Sequence, residues 1–137
     1  MDSRSRIDTY ETIYSVVMIV ANQYTTIEEI RDVVEYCDGT EIEEDIMTDC
    51  ASVTCCRRKS DLMSCVFVKF NHVSDVKSVD KKVDLINTIS HEAGHVALRI
   101  YQHMGQDICQ CSPEPFCYLL GWAAECIYKT IKRLWTM

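Results

Sequence analysis

His91-Glu92-Ala93-Gly94-His95 puts two imidazoles and a carboxylate within five consecutive residues. On a helix, residues four apart stand on one face, one turn from each other. Both imidazoles can then reach a single ion at about 2.0–2.1 Å, the distance zinc prefers. Glu92, beside the first imidazole, can approach a water held by that ion. Zinc lowers the pKa of such a water to about 7, and the carboxylate can take its proton. His91 and His95 are therefore candidate zinc ligands, and Glu92 a candidate general base.

A catalytic zinc takes a third protein ligand and keeps one position open. Glu114 follows His95 after eighteen intervening residues, in Ser112-Pro113-Glu114-Pro115-Phe116. It falls in the first turn of an expected helix, where the helix dipole favours the ionised carboxylate that binds metal. A helix–loop–helix return could carry it to the two histidines. His103 is a weaker candidate, because it stands two turns past His95, roughly 12 Å along the axis. Cys109 and Cys111 lie in the intervening loop, and a mixed Cys/His site is conceivable there.

Further residues share the expected Glu114 helix. Tyr118, four residues on, could donate to the oxyanion of a tetrahedral intermediate, or simply pack. Gly121 could let the two helices approach closely. Glu125 could support a ligand histidine through a hydrogen bond, although a solvated acid is the simpler reading. His72 has the pattern of a surface histidine.

The elements that would position these groups are legible from periodicity. Asp80 to Met104 reads as one long helix, capped by Ser78 or Asp80, with Gly105 at its C′ position. Val83, Ile86, Ile89, Ala93, Val96 and Ile100 supply its apolar face. Ser112-Pro113 opens a last helix, with Phe116, Leu119, Leu120, Ala123, Ile127, Ile131 and Leu134 buried. Upstream, Ile13 to Ala21 is β-branched and nearly continuous, the pattern of a buried central strand. Thr25-Thr26-Ile27-Glu28 resembles a capping box opening a helix that runs to Cys37 and ends at Asp38-Gly39. Residues 40 to 49 form an acidic surface loop with a partial helical turn at most. Cys50 to Arg58 and Leu62 to Phe70 form a hairpin, with Cys65, Phe67 and Lys69 on one face and Val66, Val68 and Phe70 on the other. The whole is an α+β domain.

At 137 residues, the chain suits one domain with a single core spanning residues 1–137. The net charge of −7 disfavours a general nucleic-acid or anionic-membrane surface. The one basic cluster, Arg57-Arg58-Lys59, reads as a solvated hairpin tip. Nine cysteines, an odd number, without a signal peptide point to reduced thiols in a cytoplasmic protein, most of them acting as small apolar core residues. The apolar stretch Tyr14 to Ala21 is too short to span a bilayer.

HEAGH followed by eighteen residues and Glu-Pro-Phe-Cys-Tyr-Leu-Leu-Gly-Trp resembles the zincin-like metallopeptidases of gluzincin type, and most of all their small phage- and prophage-encoded members. The specific part of the likeness is the C-terminal third. It implies a minimal zincin-like domain with His91, His95 and Glu114 on zinc, Glu92 as general base, and a peptide or protein substrate. Leu98 and Tyr101 occupy the places where metzincins carry glycine and histidine, which excludes that subclass. In such a fold, Leu62 to Phe70 would be the edge strand that pairs with an extended peptide. The alternatives are a non-catalytic zinc-binding phage accessory protein and a metal-free interaction module.

Overall fold

A computed structural model describes residues 2–73 and 77–132, the last of these by its backbone alone. The expected Leu134 of the last helix lies outside the described residues. The elements are β1 (Ile7–Glu11), β2 (Val17–Ala21), α1 (Ile27–Val33), β3 (Val34–Glu35), a 3₁₀ turn (Glu44–Met47), β4 (Ala51–Arg58), β5 (Ser64–Phe70), α2 (Val79–His103) and α3 (Glu114–Lys132). The chain is α+β: the five strands form one mixed sheet in the order β1-β2-β5-β4-β3. β2 and β5 pair in parallel and the other neighbours antiparallel.

Both faces of this sheet are covered. On one, Met18, Val20, Val66, Val68 and Phe70 meet Ile89, Val96 and Ile100 of α2 and Ala123, Ile127 and Ile131 of α3. On the other, Val17, Ile19, Cys65 and Phe67 meet Ile30 of α1, with Ile42 and Ile46 of the acidic loop. A strand buried on both faces loses the alternation of a half-exposed one, which is why β2 reads as a continuous apolar run. The alternating faces expected of Leu62 to Phe70 are those observed. Lys69 is buried on the α1 side, where its ammonium donates to the carbonyls of Asn22 and Phe70 at 2.7 and 2.8 Å.

Several expectations need correction. The strand expected from Ile13 begins only at Val17, and Ile13 is 93% exposed on the β1–β2 connection. β1 was not anticipated. It is an edge strand with a mixed pattern, tied to α3 by Tyr10, whose hydroxyl meets Thr130 Oγ1 at 2.7 Å, while Thr130 donates to Asp8 at 2.9 Å. α1 opens one residue later than expected, at a Thr26–Glu29 capping box rather than Thr25–Glu28, and stops at Val33 rather than Cys37. The β-branched pair Val33-Val34 turns into β3, whose Glu35 pairs with Arg57 of β4 at 2.6 Å. Ile42 and Ile46 are buried, so the acidic loop contributes to the core instead of only skirting it. β5 is the central strand and cannot be the free edge expected for Leu62 to Phe70. Six of the nine cysteines are exposed; only Cys56, Cys65 and Cys126 are core residues, and none is bridged.

α2 follows its expected limits, capped by Ser78, whose side chain accepts from Lys81 N–H, with Gly105 beyond its end at φ 68°. Its apolar face, however, starts at Leu85. Val83 and Ile86 are 56% and 61% exposed. A 25-residue helix is about 37 Å long, whereas the seven residues of β5 cover about 23 Å, so the first turns of α2 overrun the sheet.

Candidate metal centre

The histidine pair lies in the middle of α2, on its exposed side. Ala93, Val96 and Ala97 are fully buried and anchor this stretch of helix, while His91 and His95 are exposed. Their rings meet edge to face with centroids 4.8 Å apart. The two Nε2 atoms approach to 3.2 Å. Two nitrogens bound tetrahedrally at zinc distances stand about 3.3 Å apart, so the pair already has the separation that one ion demands. Two imidazole nitrogens are also a borderline donor set suited to zinc. The residues present fit half of a zinc site.

Glu92 points elsewhere on the helix and is 7% exposed. Burial pushes its carboxyl above the ordinary glutamate value; His91 and His95 oppose the rise, and Asp49 adds to it. Sequence reading did not single out Asp49. It closes the acidic loop just before β4, and only the tertiary fold brings that loop under α2. Ala93 packs in the core, but Gly94 has open space beside it, with nothing within 4 Å of where a Cβ would stand.

The structure does not bring Glu114 to the pair. Glu114 is the first residue of α3 and exposed. Two residues on, the Phe116 ring packs edge-on against Tyr101 of α2, with centroids 5.2 Å apart. Tyr101 lies six residues past His95, about 9 Å along the helix, so α3 begins at the far end of α2 and not level with the histidines. Among the described residues, no three His, Cys, Asp or Glu side chains converge as a metal-holding group.

The remaining candidates are also placed. Tyr118 is 74% exposed and faces Ile13 and Tyr14 of the β1–β2 connection, across a cavity rather than toward the pair. Gly121 has nothing within 4 Å of an added Cβ, so it does not serve a close helix approach. Glu125 is an exposed acid paired with Lys129 at 3.1 Å. Cys109 and Cys111 are exposed in the α2–α3 connection. His72 is exposed, and His103 stands at the end of α2 with Nε2 3.5 Å from Ser15 Oγ. Among the described residues, no helix is long and apolar enough to cross a membrane. Comparison with known proteins finds no match to a family model, a curated protein or a solved structure.

Proposed function

We propose that this chain is a zinc-dependent metallopeptidase, of the gluzincin-like kind that its HEAGH segment resembles, with His91 and His95 as the metal-anchoring pair on α2. The observation that carries the reading is the 3.2 Å approach of the two Nε2 atoms, with Glu92 between them in sequence. Zinc, when bound, would supply Lewis acidity toward a peptide carbonyl and acidify water at neutral pH. Glu92 is suited to hold the proton lost by that water, because it stands beside the pair and its carboxyl is raised above the ordinary glutamate value, chiefly by burial.

The reading assigns the third ligand to Glu114, which must approach the pair when metal binds. The exposed connection 105–113 is the segment able to carry that shift. A reducing compartment such as the cytoplasm, including a bacterial host's if the gene is phage-borne, suits nine unbridged thiols. The separation of Glu114 from the pair favours a second reading, a non-catalytic zinc-binding accessory protein that uses the same two histidines.

Cleavage of an unstructured protein such as casein by the zinc-loaded chain separates the two readings. The peptidase reading predicts that Glu92→Gln keeps zinc and lowers cleavage by at least about a hundredfold. Unchanged cleavage by Glu92→Gln would overturn the role of Glu92. Stoichiometric zinc with no cleavage by the unaltered chain would leave the accessory-protein reading.

A further inference from the structure

Where α2 gives way to α3, two cavities of about 360 and 340 Å³ lie side by side, and Tyr14 and Pro115 line both. We infer that this double groove docks an extended, basic segment of a partner protein. The inference is independent of zinc.

The lining is aromatic. Tyr118 and Trp122 stand with Tyr14 in the first cavity, and Tyr101 with Tyr14 in the second. Aromatic faces attract guanidinium and ammonium groups, arginine most often. Among the described residues, the charged groups on the lining are acids, Glu11 in the first cavity, where Arg58 is within electrostatic reach of it, and Asp107 in the second. The net charge of −7 draws a basic partner toward the surface as a whole. Ile13 and Tyr118, 93% and 74% exposed, form an apolar rim that a bound chain would cover. Two neighbouring cavities that share Tyr14 and Pro115 suit an extended chain, in which side chains two apart lie about 7 Å from each other on one side. This arrangement also gives Tyr118 a role away from the histidine pair.

The probe is a fluorescein-labelled octapeptide alternating arginine and leucine, followed by anisotropy with the full-length chain. Saturable binding is expected, weakened about fivefold by Tyr118→Ala and by Asp107→Asn. It should be unchanged by Glu28→Gln, which removes an exposed acid on α1, across the sheet. Binding should also survive a chelator. An octapeptide with glutamate in place of arginine should not bind. The inference is overturned by no saturable binding; by equal binding of the glutamate peptide; by a Glu28→Gln effect as large as that of Asp107→Asn, which would mean diffuse charge attraction; or by loss of binding on chelation, which would place the peptide at the histidine pair. Self-association through the groove, seen as a concentration-dependent dimer that Tyr118→Ala dissolves, would equally overturn it.

Discussion

Two imidazole nitrogens 3.2 Å apart are the most informative pair of atoms in the molecule. Their convergence was legible in the sequence because it is a property of one helix: a spacing of four fixes the face before any tertiary structure exists. The environment of Glu92 could be read less directly, since it includes the charge of Asp49 from a loop that periodicity leaves unplaced. Lys69 shows the same limit, for no local pattern marks a lysine as fully buried. Burial lowers its ammonium to about 8, from an ordinary value of 10.5. Between those values the unfolded chain holds a proton that the folded chain has released, so raising the pH through this window stabilises the fold. Below about 8 the lysine is charged in both states, and the cost of burying that charge is fully present. A neutral amine still has two N–H donors for the carbonyls of Asn22 and Phe70. Urea unfolding at pH 7 and pH 10 should therefore show the unaltered chain gaining stability relative to Lys69→Met. A constant difference between the two proteins would contradict the assignment.

At the scale of elements, strong local signals gave correct boundaries. The Ser78 cap and the Gly105 turn are satisfied by side chains or backbone within a few residues, and the capping box expected at Thr25–Glu28 falls one residue on, at Thr26–Glu29. Boundaries set by long-range pairing were not readable. α1 is cut short at Val33 because β4 captures Val34 and Glu35, and β1 exists because β2 offers it a partner. The start of α3 was placed correctly, yet its register against α2, fixed by Tyr101 and Phe116, carries Glu114 away from the histidines. Gly94 belongs to this scale as well. A mid-helix glycine with open space beside it costs α2 about 1 kcal/mol relative to alanine. Gly94→Ala should raise stability by about that amount in urea titration and leave zinc binding intact. A destabilised Gly94→Ala protein would show that the backbone here is not the regular helix described.

For the whole molecule, the sheet is the scaffold, and its two cores differ in what they support. The α2–α3 side holds the histidine-bearing helix in place through residues such as Ile100 and Ile127, both fully buried. Ile127→Ala should cost about 2–5 kcal/mol in urea unfolding, by lost transfer energy and the cavity left behind. A change below about 1 kcal/mol would mean that α3 is not packed as described. The α+β class and the order of hairpin and long helices followed from the sequence, because each long element declares its own apolar face. Strand order did not, and it moved Leu62 to Phe70 from the expected edge to the centre of the sheet.

The proposed zinc ion between His91 and His95 is open to anomalous X-ray scattering from zinc-loaded crystals. A single zinc peak is expected about 2.0–2.1 Å from both Nε2 atoms, absent in crystals of the His95→Ala protein. A zinc-saturated crystal with no peak there, or with its zinc held by Cys109 and Cys111 instead, would contradict it.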